Sequence, residues 1–166
     1  MRPSKEQYYL NIAKEVVKIG ALIVKEDAIV ATGYVGAPRK TSDCLERGVC
    51  LRDKLQIPHG QRYELCRSVH AEQNCIINSA RAGVSLLGGD MYQWSEDKNG
   101  APIDSLPCFI CKKMIINAGI KRVVAGDPDG DIIEFKVKDW LKDEAYMTYG
   151  NKKSGKKIQK KEAQNA

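Results

Sequence analysis

A chain of 166 residues with 43% apolar content is long enough to bury a substantial core and short enough to form one domain. No apolar run approaches the roughly 20 residues of a membrane span, and Met1-Arg2-Pro3-Ser4-Lys5 lacks the apolar stretch of an export signal, so a cytoplasmic protein is expected. The formal charge of +6 invites a nucleic-acid reading until it is located: six lysines against Glu162 after Asn151 carry +5, leaving +1 for the rest. Residues 151–166 therefore read as a basic, disordered tail on a single domain over 1–150, with an arm touching phosphates or a partner as the alternative.

Tyr8, Ile12, Val16 and Ile19 recur at helical spacing after an N-capping Ser4, which predicts an amphipathic helix over 4–18 ended by Gly20. Two short β-type runs, 21–24 and 28–31, flank the charged turn Lys25-Glu26-Asp27 and read as a hairpin. The stretch from Gly33 to Arg67, rich in Gly, Pro, charge and cysteine, is too long for an ordinary connection and needs something to organise it. A second helix follows over 70–81, stopped by Gly83, then a strand over 90–94 and a polar loop ending at Pro107. A helix over 108–117, strands over 121–125 and 132–135 and a last helix over 137–146 complete the pattern. Strands alternating with helices imply an α/β sandwich.

Six cysteines without an export signal, two of them in a Cys-x-x-Cys, point to reduced thiolates on metal rather than to disulfides. Cys108 and Cys111 stand three apart and share one helix face, and His70 adds an imidazole, giving the two-sulfur, one-nitrogen set of a catalytic zinc with one position left for water. Both motifs open predicted helices, where unpaired N–H groups and the positive dipole end favour thiolates. Pro107 suits a helix entrance because its missing N–H costs nothing there. Glu72, two residues from His70, is assigned to proton transfer. Taken singly, a Cys-x-x-Cys is also a redox or structural motif and a His-x-Glu is commonplace; together and in this order they match the zinc-deaminase signature. Cys75, beside Ile76 and Ile77, reads as core packing.

With these motifs, Ala31-Thr32-Gly33-Tyr34-Val35-Gly36-Ala37-Pro38-Arg39, Ser68-Val69-His70-Ala71-Glu72-Gln73-Asn74 and Ile116-Asn117-Ala118-Gly119-Ile120 resemble the deoxycytidylate (dCMP) deaminase family, within the cytidine deaminase superfamily. The resemblance implies a three-layer α/β/α fold around a mixed sheet of about five strands, a homo-oligomer (hexamer or dimer), and zinc-dependent conversion of dCMP to dUMP, feeding thymidylate synthesis. It also implies a second, structural zinc on Cys44, Cys50, His59 and Cys66, in an insertion over 41–67. Ordinary thiols, with His59 in a turn between Pro58 and Gly60, are the alternative. Arg39 and Lys40 are candidate phosphate partners, with a solvated basic turn as the other reading. The chain departs from the family where Val35 replaces an Asn that contacts substrate in relatives, and where the segment before Ala21 is short. Deamination within nucleic acid and a catalytically silent zinc module are the competing functions, and the nearly neutral body argues against the former.

Overall fold

The computed structural model describes residues 3–16, 19–58, 61–142, 147 and 155–158. Its helices are α1 (Lys5–Val16), α2 (Leu51–Lys54), α3 (Ala71–Ala82), α4 (Phe109–Asn117) and α5 (Val137–Trp140). Its strands are β1 (Ile19–Lys25), β2 (Ala28–Tyr34), β3 (Asp90–Ser95), β4 (Arg122–Gly126), β5 (Ile132–Lys136) and β6 (Lys156–Ile158). They form one sheet in the order β2-β1-β3-β4-β5-β6, antiparallel except for the parallel β3–β4 pair.

Alternation along β1 sets the layers, because successive side chains leave opposite faces of a strand. Leu22 and Val24 pack with Tyr9, Leu10 and Ala13 of α1, while Ala21 and Ile23 pack with Ala71 and Cys75 of α3 and Ile115 of α4. The result is the expected helix, sheet, helix sandwich. Ser4 caps α1 by accepting the Gln7 N–H at 3.2 Å, and Gly83 ends α3 with φ +68°. The β1–β2 turn places Glu26 and Asp27 at φ 51° and 61°, which matches a hairpin's right-handed twist, and Tyr9 ties it to α1 by donating to the Asp27 carbonyl at 2.8 Å.

The sheet has six strands rather than about five. The extra strand, β6, comes from the segment read as a disordered tail, where Lys157 pairs with Asp131 at 2.7 Å. Charge count alone did not reveal that Ile158 can pack beside the sheet. The last helix is only the four residues of α5, with 143–146 outside the described residues.

Two contacts fix β2 against α3. Asn74 and Asn78 donate to the carbonyls of Tyr34 and Thr32 at 2.7 and 2.8 Å, and Gly33 lies so close to α3 that a Cβ there would collide with the Cys75 nitrogen and the Ala71 carbonyl oxygen. Backbone cannot yield as a side-chain tip can. Gly33→Ala is therefore expected to cost about 1–3 kcal/mol, the range for overpacking, read as a lower thermal midpoint.

Candidate active site

The site forms where two helices begin. His70 and Cys108 are the N-caps of α3 and α4, both extended (φ −68°, ψ 156° and φ −67°, ψ 167°), one residue outside the helices in which the sequence placed them. The Gln73 side chain accepts the His70 backbone N–H at 2.9 Å, so the first turn of α3 holds the residue carrying the imidazole. Cys108 Sγ accepts the Cys111 N–H at 3.5 Å. Both residues thus stand at the positive ends of helices, which favour negative sulfur.

His70 Nδ1 lies 3.5 Å from Cys108 Sγ and 3.4 Å from Cys111 Sγ, with all three ligand atoms within 4.8 Å of one another. Tetrahedral zinc, with Zn–S about 2.3 Å and Zn–N about 2.0–2.1 Å, requires N and S about 3.5 Å apart. The donor set therefore fits zinc in kind and in spacing. The Cys108 thiol is held down to about 4 by its hydrogen bonds with Cys111 first and with His70, after burial has opposed them, whereas Cys111 is pushed up by that same bond and by burial. The opposite shifts show that the two sulfurs interact closely enough to titrate as a pair. His70 is raised chiefly by its bond to Cys108.

Glu72 is buried beside this cluster. Loss of water around its carboxyl raises its pKa, against the opposing pull of its own backbone N–H and of the His70 charge. A carboxyl moved upward in this way is suited to take and return protons near neutral pH.

A cavity of about 310 Å³ opens on His70, Glu72 and Cys108. Gln93 and Ser105 line one side; the Gln93 amide N–H₂ donates to the Ser105 carbonyl, and its Oε1 is buried with no partner. The 41–67 insertion forms another side through Arg52, Tyr63 and Cys66. The Tyr63 ring stands edge-on to His70, centroids 5.0 Å apart at 82°, and the Arg52 guanidinium lies 5.2 Å over Tyr63.

Arg39 and Lys40 are not on this cavity. They line a neighbouring one of about 300 Å³ with Asn74 and Asn78, and Arg39 donates to Asn78 Oδ1 at 2.5 Å. Val35 borders both. The turn after β2 carries the two cations past Val35 to its far side, which the sequence could not show.

Cys44, Cys50 and Cys66 are half-buried, and burial first, then Cys50 and Cys66, raise the Cys44 thiol. His59 lies outside the described residues. Among the described residues, the sets with ligand atoms all within 4.8 Å are His70, Cys108 and Cys111, and a second set of Asp127, Asp129 and Asp131. The latter is a turn, with Asp127 Oδ1 accepting the N–H groups of Asp129 and Asp131 at 3.0 and 2.8 Å. Cys75 is fully buried, its thiol pushed up to about 12 by burial, as a core residue should be.

Residues 2–127 match the model of the cytidine and deoxycytidylate deaminase zinc-binding region. The chain belongs to this deaminase family. It is 30% identical to the deoxycytidylate deaminase of Schizosaccharomyces pombe, over 74% of this chain and 37% of the relative, and 32% identical to that of Mycobacterium phage D29, over 74% and 94%. It thus spans under two-fifths of the yeast protein's length and nearly all of the phage protein's. A crystal structure of dCMP deaminase from the cyanophage S-TIM5 aligns with a TM-score of 0.52 at 25% identity, covering 76% of this chain and 86% of that one. His70, Cys108 and Cys111, the three residues that converge here, lie within the matched residues.

Sequence reasoning missed Arg52, Tyr63, Gln93 and Ser105. Gln93 carried a signal, as a polar residue in the middle of the otherwise apolar run Met91-Tyr92-Gln93-Trp94. Arg52 carried none, being one cation among many in a charged loop. No helix among the described residues is long and apolar enough to cross a membrane.

Proposed function

We propose that the protein hydrolyses dCMP to dUMP and ammonia, supplying dUMP for thymidylate synthesis. The observation that carries this is the convergence of His70, Cys108 and Cys111 with the buried Glu72 at one end of a nucleotide-sized cavity. The phage relative, called a deoxycytidylate deaminase and matched over 94% of its length, supports the choice of substrate.

His70, Cys108 and Cys111 would hold the zinc. Zinc bound there supplies a water whose pKa is lowered from about 15.7 to about 7. Glu72 accepts a proton from the attacking water and delivers it to N3 of the cytosine ring as oxygen bonds to C4. The carboxylate then takes the remaining proton of the new C4 hydroxyl and passes it to the 4-amino group; the C4–N bond breaks, ammonia leaves, and C4 becomes the carbonyl of uracil. Two helix N-termini and the exclusion of water around Glu72 keep the charges in place during these transfers.

Incubation with dCMP, CMP, dCTP, cytidine and single-stranded DNA tests the reading. Release of dUMP and ammonia from dCMP, with little from the polymer, is expected; deamination of the polymer alone would replace the proposal with a nucleic-acid enzyme. Free thiols at all six cysteines suit a reducing cytoplasm, and a homo-oligomer belongs to the same reading.

A second, structural zinc on Cys44, Cys50, Cys66 and His59 belongs to the same proposal. It would order an insertion with little buried apolar surface, of which Cys66 already borders the active cavity. Metal analysis should find roughly two zinc ions per chain, falling to about one in Cys50→Ser. One ion per chain, unchanged by Cys50→Ser, removes the second site.

A further inference from the structure

Resting on the nucleotide reading above, we propose that Arg52 of the insertion is the residue that recognises the substrate's phosphate. Among the described residues lining the catalytic cavity, Arg52 is the one lysine or arginine. Other cations near the deaminase motifs or in the resembling segments are engaged elsewhere: Arg39 is bonded to Asn78 in the neighbouring cavity, Arg67 donates from Nε and Nη2 to the Ser42 carbonyl at 3.2 and 3.1 Å, and Lys112 and Lys113 lie over the Trp140 and Phe109 rings.

The Arg52 side chain is held in place, with the Glu64 carboxylate near enough to feel its charge. One Nη donates to the Pro58 carbonyl at 3.0 Å, and its face lies on the Tyr63 ring. Its Nε is buried without an acceptor, and it forms no ion pair with a carboxylate among the described residues. A buried donor without a partner is costly, so the guanidinium's bonding is incomplete in the unliganded protein.

The geometry matches the ligand. A nucleoside monophosphate carries about −1.5 to −2 charges near pH 7 on three acceptor oxygens, as a phosphoryl monoester does, and a planar guanidinium pairs with two such oxygens at once. With the cytosine ring at Glu72 and His70, the sugar and phosphate extend toward the cavity wall. Arg52 stands on that wall, one aromatic ring removed from the metal ligand. Recognition of the phosphate then sits on the insertion, so ordering of that insertion and preference for a nucleotide over a nucleoside are one property.

The test compares wild type, Arg52→Gln and Arg52→Lys on dCMP and on deoxycytidine, which lacks the phosphate, with calorimetric binding of dUMP and a thermal melt for each protein. Arg52→Gln should lose about 10- to 100-fold in kcat/KM on dCMP, mostly through KM, the scale of a charge-assisted pair. It should bind dUMP more weakly by a similar factor while keeping its rate on deoxycytidine; Arg52→Lys should recover part of the loss. Equal losses on both substrates would make Arg52 a prop for the loop, and no loss on dCMP would exclude it from the phosphate site; either overturns the proposal. Wild type inactive on both substrates would overturn the deaminase reading itself, a failure separable from one confined to the Arg52 variants.

Discussion

Glu72→Gln should retain zinc and fold while losing at least about a hundredfold in kcat, the low end for general acid–base catalysis. Gln has nearly the same shape, so Ala71, Cys75 and the start of α3 stay packed, but an amide cannot carry a proton from water to N3 and then to the amine. The same substitution has a second, opposite signature in the metal-free protein. Burial raises the Glu72 pKa in the folded state above its ordinary value, so the folded protein binds that proton more tightly than the unfolded chain. The stability associated with it is complete below the unfolded value of about 4.3 and is lost as pH rises through the folded value. Gln does not titrate. The melting temperature of metal-free Glu72→Gln should therefore gain on that of the wild type as pH rises from about 4 to 7, and rate assays beside melts at several pH values check both halves. An unchanged rate removes Glu72 from the chemistry.

Cys108→Ser should remove the catalytic zinc and reduce turnover to background. Bonds to Cys111 and His70 lower the Cys108 thiol and favour its thiolate, whereas a serine hydroxyl in its place stays protonated at neutral pH. Loss of a hydrogen-bonding partner of a ligand costs about 10- to 100-fold in metal affinity, and loss of the ligand itself should exceed that. Serine also still caps α4, so the fold should survive and the defect should appear as metal content and rate. Equilibrium dialysis against zinc, with the rate measured on the same samples, reads both. Wild-type zinc affinity in Cys108→Ser would show that the sulfur is not a ligand.

The chemistry-bearing residues were legible because their spacing is local. His70 with Glu72 and Cys108 with Cys111 each sit within one helical turn, and helix signals placed both turns correctly to within one residue. The three layers were legible in the alternation of strands with helices and in the family resemblance, and Ala21-Leu22-Ile23-Val24, apolar at every position, suits a strand covered on both faces. What the sequence did not show was long-range placement inside the 33–67 stretch. Arg39 and Arg52 look alike as residues of a basic loop, and only the turn after β2 and the stacking of Arg52 on Tyr63 decide which of them borders the metal ligands. β6 escaped because a lysine-rich segment with a single apolar residue pairs through its backbone and through Lys157 with Asp131.

The most direct test is to strip the protein with a chelator and follow dUMP formed from dCMP as zinc is returned. Turnover should vanish with the metal and come back with added zinc in the wild type, and remain absent in Cys108→Ser. Sustained dUMP formation by the metal-free protein, or a folded, zinc-loaded wild type that leaves dCMP unchanged, would contradict the account.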